Sequence, residues 1–316
     1  MNRHISIKNQ NTIHILLQKK ESIAQDERKQ SAASHISPLI SSTDIHAPLR
    51  KMEKELAQLV GMQKVKQMLK EIYAYVYINQ KRKEMNLQAE KQVLHMMFKG
   101  NPGTGKTTIA RLIGNLFREM KILSKGHLIE VERADLVGEY IGHTALKTRD
   151  LIRKAQGGIL FIDEAYSLAR GGEKDFGKEA IDSLVANMEN KKHEFILILA
   201  GYADEMENFL TLNPGLRSRF PFILEFPDYT AGELMQIAQK ICQQKQYILT
   251  KEASQKLEWH LRENLYSNEE IHFSNGRYIR NILERAIRKQ ALRLLAVKNL
   301  QADDLLYLHT QDIEWK

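Results

Sequence analysis

Apolar residues recur at helical spacing from about Leu49 to Lys83, through Leu56, Leu59, Val60, Val65, Met68, Leu69, Ile72, Val76 and Ile78. That spacing predicts helix, with Gly61 dividing it in two. Tyr73, Tyr75 and Tyr77 alternate in a way that suits a strand, but the longer helical pattern and the polar run from Asn79 to Lys83 outweigh them. The pattern then changes. Val93–Phe98 is a short apolar run of strand type, and Thr108–Met120 is helical, with Ile109, Leu112, Ile113, Leu116 and Phe117 on one face. Further strand candidates follow at His127–Glu132, Gly158–Ile162, Phe195–Ala200 and Phe222–Phe226, most of them separated by helical segments. Strands alternating with helices imply a parallel sheet covered on both faces. After Pro227-Asp228-Tyr229 the pattern is nearly all helical, over 231–245, 251–265 and 276–295. The expected architecture is α/β with a five-stranded parallel sheet over 46–228 and a small all-helical domain over 229–316. Residues 1–45, with a serine-rich stretch around Ser31–Ser37 and Ser41-Ser42-Thr43, are expected to form a flexible arm.

Between the first strand and its helix lies Gly100-Asn101-Pro102-Gly103-Thr104-Gly105-Lys106-Thr107. It fits the phosphate-binding pattern G-x-x-x-x-G-K-[ST], in the strand–loop–helix setting that pattern requires. The three glycines free the backbone to aim N–H groups at phosphate oxygens, and the helix adds its positive end. Lys106 is the residue to reach the β- and γ-phosphates, Thr107 the one to hold Mg²⁺, and Thr108 follows in the helix's first turn. The expected ligands are therefore ATP and Mg²⁺.

A second motif is the run Gly158-Ile159-Leu160-Phe161-Ile162 ending in Asp163-Glu164. On a buried parallel strand it delivers two carboxylates to the edge where ligands bind. Asp163 then suits Mg²⁺, and Glu164 suits polarisation of the attacking water. The plainer alternative is that both acids cap the next helix.

The paired motifs resemble those of the AAA+ ATPases, from about Leu59 to about Arg293. By that resemblance Val60 and Gly61 lie beside the adenine. Asn213–Phe220 is similar to the arginine-finger loop, with Arg219 the first candidate finger and Arg217 the second. Phe273–Asn281 is similar to the start of the sensor-2 helix, with Arg277 the matching arginine. The fourth strand departs from the family, since Gly201-Tyr202 stands where a small polar sensor is usual. Ala134–Thr148 resembles a pore loop, which makes Tyr140 and Ile141 candidate grips on an extended chain. The alternative for Tyr140 is a ring packed under its own loop. This stretch, with Phe161–Leu168 and Leu199–Asp204, resembles the subfamily of red-type Rubisco activases, type VII secretion ATPases and stage V sporulation protein K, and the short arm suits the sporulation branch. The resemblance implies a cytoplasmic homo-oligomer, a hexamer, that threads or remodels an unidentified client protein in spore formation.

Composition narrows the alternatives. No run approaches the roughly 20 apolar residues of a membrane helix, and Ile13–Leu17 is too short for a signal-peptide core. Cys242 is the only cysteine, which fits a reducing compartment. The net charge of +8 permits a nucleic-acid partner without requiring one. The basic stretch 276–298 carries a single aromatic, Tyr278, whereas single-strand binding favours interleaved aromatics. Nucleic acid is therefore not expected. A nucleic-acid motor or clamp loader, and an ATP-dependent scaffold, stay as alternatives to the remodelling machine.

Overall fold

The computed structural model describes residues 46–89, 93–140, 142–171, 175–191, 193–266 and 274–315. The expected arm 1–45 and Ile141 lie outside the described residues. Helices α1 (Ala47–Ala57) and α2 (Gln63–Glu84) are separated where Gly61 and Met62 take φ of 62° and 57°. The tyrosine alternation is helical: Tyr73 and Tyr77 stack one turn apart, 6.0 Å between centroids, and Tyr75 faces outward.

The α/β part then runs β1 (Met96–Gly100), α3 (Lys106–Glu119), β2 (Leu128–Val131), α4 (Arg133–Leu136), α5 (His143–Ala155) and β3 (Ile159–Ile162). It continues through a 3₁₀ turn at Ala165–Ala169, α6 (Gly177–Asn190), β4 (Ile196–Gly201), α7 (Ala203–Leu212), α8 (Pro214–Arg217) and β5 (Phe222–Phe226). The five strands form one parallel sheet in the order β2-β3-β4-β1-β5. β1 begins three residues later than the apolar run suggested, because Val93–His95 lead into the sheet without pairing in it. α3 begins two residues earlier than expected, directly at Lys106, since the loop ends on Gly105 in the left-handed region.

Strands β1, β3 and β4 are buried along their whole length. Both faces are covered, so these strands are continuously apolar rather than alternating. Phe98 packs against Phe161 and Phe226, with centroids 6.3 and 5.0 Å apart. Truncating a buried phenylalanine such as Phe161 to alanine costs about 3–5 kcal/mol.

The C-terminal part contains α9 (Ala231–Gln244), β6 (Ile248–Leu249), α10 (Lys251–Tyr266), α11 (Asn275–Leu294), α12 (Ala302–Leu306) and β7 (Tyr307–Leu308). α9 starts on a capping box, in which Thr230 Oγ1 accepts from Glu233 N and the Glu233 carboxylate accepts from Thr230 N. To the expected helices the structure adds a two-residue parallel pair, β6 with β7. Arg293 closes the C-terminal segment with two bonds, 3.0 and 2.9 Å, to the buried Asp312 carboxylate.

Candidate nucleotide site

The carboxyl ends of β1, β3 and β4 point to the same edge of the sheet, because all three strands are parallel. That edge opens into a cleft of about 430 Å³ that the second half of α9 and the first turns of α11 close from the other side. Its phosphate end is lined by Gly103, Gly105, Lys106 and Thr107, by Asp163 and Glu164, and by Arg277. Its other end is lined by Gln58, Val60, Met62, Ile237, Lys240 and Gln244.

The loop is set by close packing as much as by its own turns. Gly103 has φ 72°, and a Cβ there would lie 2.1 Å from the carbonyl oxygen of Ser274. No side chain fits between the loop and the start of α11. Thr104 is buried and its hydroxyl donates to Asn101 O at 2.7 Å, while Asn101 Nδ2 donates to Asp228 at 2.8 Å. These two side chains therefore hold the loop's shape and do not line the cleft.

Lys106 is 9 % exposed, and its ammonium donates to Gly100 O and Asn101 O at 2.8 and 2.9 Å. Burial lowers its pKa; Asp163, Asp228 and Glu164 oppose that shift and Arg277 adds to it. A buried cation among carbonyl oxygens is short of full counter-charge, and a phosphate anion supplies it.

Asp163 N donates to Val131 O and Asp163 Oδ1 accepts from Glu164 N at 3.0 Å. Glu164 has φ 47° and makes no side-chain bond to the 3₁₀ turn that follows it. The capping alternative for Glu164 therefore finds no contact, and its carboxylate lines the cleft instead. Thr107 and Asp163 offer a sparse all-oxygen set, the kind Mg²⁺ accepts when phosphates and water complete its octahedron. The residues present fit that ion. Glu130, absent from the sequence reading, accepts from Thr107 Oγ1 at 3.2 Å and pairs with Arg111.

Of the other candidates, Val60 and Arg277 line the cleft and Gly61 turns the chain beside it, at a φ of 62° that L side chains rarely adopt. Gly201 and Tyr202 also line it, Tyr202 with its ring 5.9 Å from Tyr166. Arg217 and Arg219 do not. They precede β5, at the opposite edge of the sheet, where Arg219 donates to Gly215 O and to Glu189 at 2.6 and 2.9 Å. Arg217 lies 4.0 Å from Glu207, which also holds the buried Lys99. Tyr140 is 65 % exposed, touching His143 edge-on at 5.3 Å. Sequence reasoning missed Lys240, Gln244, Ile237, Arg280 and Met62 as lining residues; the first four are brought to the cleft by the packing of α9 and α11, and Met62 by the turn that starts α2.

Comparison with known proteins agrees with this arrangement. Residues 96–228 match the AAA family (ATPase family associated with various cellular activities), and residues 230–316 match the AAA lid domain. Stage V sporulation protein K of Bacillus subtilis (strain 168) is 55% identical over all of this chain and 98% of its own length. The chloroplastic ribulose bisphosphate carboxylase/oxygenase activase of Cyanidioschyzon merolae (strain NIES-3377 / 10D) is 43% identical over 86% of this chain and 92% of its own. Among solved structures, the AAA domain of FIGL-1 in complex with ADP superposes with a TM-score of 0.55 at 19% identity, over 81% of this chain and 80% of that one, a likeness of fold. The chain belongs to the AAA ATPase family, in the group of stage V sporulation protein K.

Proposed function

We propose that the protein hydrolyses Mg-ATP as a ring, a hexamer, and uses the energy to remodel a client protein, in spore formation as the name of its relative suggests. The lid over 229–316 and the α/β part over 46–228 hold the nucleotide between them. Bound Mg²⁺ neutralises charge on the β- and γ-phosphates. Lys106 binds the phosphates and Thr107 and Asp163 hold the ion. Glu164 orients and polarises a water whose oxygen bonds to the γ-phosphorus as the bond to the β,γ-bridging oxygen breaks. Arg277 reaches the phosphates from the lid.

The observation that carries the ring is the position of Arg219. The phosphate loop leaves the carboxyl end of β1, and Arg219 enters at the amino end of the neighbouring β5. Five residues of strand separate those edges, roughly 17 Å at about 3.3 Å per residue. A guanidinium on that edge serves a second copy's nucleotide more readily than its own. Supplied there, it is worth on the order of 10³–10⁵ in rate. Exposed Tyr140, away from the phosphate motifs, supports the client-gripping role.

The test mixes two inactive variants, Lys106→Ala and Arg219→Ala. Mixed rings contain interfaces that join an intact loop to an intact finger, so turnover should return. No recovery in mixed assemblies shown to have exchanged subunits would reject the trans arrangement.

A further inference from the structure

Three successive carbonyl groups of the phosphate loop are tied to the lid and its hinge. Pro102 O accepts from Asn275 Nδ2 at 3.4 Å, Gly103 O from Gly276 N at 3.1 Å, and Thr104 O from the Tyr229 hydroxyl at 3.2 Å. In a trans peptide unit the C=O and the following N–H point in opposite directions. Turning these carbonyls toward the lid therefore turns the N–H groups of Gly103, Thr104 and Gly105 the other way, the direction a phosphate-binding loop needs.

One side chain sits at the centre of this arrangement. Asn275 is fully buried, with φ 47°, and does not line the cleft. Its Nδ2 also donates to Asp228 Oδ1 at 2.7 Å, and its Oδ1 accepts from Tyr229 N at 2.9 Å. Asp228 in turn receives Asn101 Nδ2, on the loop itself. Loop, hinge and lid thus converge on one carboxamide, whose donor and acceptor ends are both used.

We propose that Asn275 is a positioning residue for ATP, holding the phosphate loop against the lid hinge so that the N–H groups of 103–105 stay aimed at the phosphates. This rests on the loop being the ATP site. It assigns the orientation of that loop to the lid rather than to the loop's glycines alone.

The experiment exchanges the amide and the carboxylate. Asn275→Asp alone sets two carboxylates against each other at the former 2.7 Å contact, and KM for ATP should rise tenfold or more. Adding Asp228→Asn restores one donor and one acceptor between the two side chains but not the donor to Pro102 O, so KM should recover only in part, falling at least threefold from that of Asn275→Asp while staying above the parent's. Asn275→Gly, which suits φ 47° and so removes only the side chain, should raise KM at least fivefold with a smaller change in kcat, and it carries the test if Asn275→Asp does not fold. An exchange no better than Asn275→Asp alone would overturn the proposal. So would a folded Asn275→Gly protein with lowered Tm but KM within twofold of the parent, the mark of a merely structural residue. The parent and Lys106→Ala are titrated beside them. A parent with no ATP response overturns the site reading itself, whereas a responding parent with unaffected Asn275 variants overturns this inference alone.

Discussion

Replacing Lys106 by alanine should separate folding from nucleotide binding, and the expected size of the effect follows from the site. The ammonium is buried, bonded to two carbonyls, and its pKa is held down mainly by desolvation. Removing it relieves that burial cost and deletes two charge-assisted bonds, terms of opposite sign. The nucleotide-free protein should therefore change by no more than about 2 kcal/mol. ATP at a hundredfold excess over Kd should stabilise the parent by about 2.7 kcal/mol. Unfolding entropy near 2.1 cal/mol/K per residue, over the roughly 270 residues from Pro48 on, gives ~0.6 kcal/mol per degree and a Tm rise of about 5 °C. A thermal-shift titration with Mg-ATP measures it. Lys106→Ala should melt within about 4 °C of the parent without nucleotide and show no ATP-dependent rise. A 5 °C rise that persists in the variant would refute the assignment of the phosphate site.

Two further outcomes follow from other parts of the fold. Tyr140→Ala should keep its ATP turnover and its assembly but fail to process a client, whereas Tyr140→Phe should retain most processing; normal processing by folded Tyr140→Ala would exclude the gripping role. His95 is 1 % exposed, its Nδ1 accepts from Leu197 N at 2.9 Å, and burial pushes its pKa from 6.5 down to about 4. Between those values the unfolded chain takes up a proton that the folded chain refuses, so stability falls as pH falls, by about 3 kcal/mol at pH 4. Chemical denaturation of His95→Gln should show a shallower loss over that window, with the contribution of His260, also depressed to about 4 by burial, left in place. An unchanged slope would show that His95 does not titrate in this way.

Much of this architecture is legible in the sequence because it is local. The five strands are short apolar runs, and the glycine loop and the Asp163-Glu164 pair are contiguous in the chain. What escapes is what depends on convergence. Ile248–Leu249 and Tyr307–Leu308 pair over only two residues, too few for any periodicity to register. Glu130 reads as a polar residue on a strand until Thr107 is set beside it. Asn275 is one residue of a motif whose arginine draws the eye, and only its burial between the loop and the hinge shows that its amide has partners on both. Lys240 and Gln244 look like ordinary helix-surface residues until α9 brings them over the cleft.

Glu164→Gln tests the chemistry at the heart of the site most directly. Glu164 starts the 3₁₀ turn without capping it, and its side chain lies in the cleft beside Asp163. The substitution keeps size and shape and removes only the group that polarises water. Mg-ATP should still raise Tm by about 5 °C, as in the parent, while turnover falls by at least ~10²-fold, the range of general-base catalysis. Turnover within about twofold of the parent would contradict the account, leaving Glu164 with no part in hydrolysis.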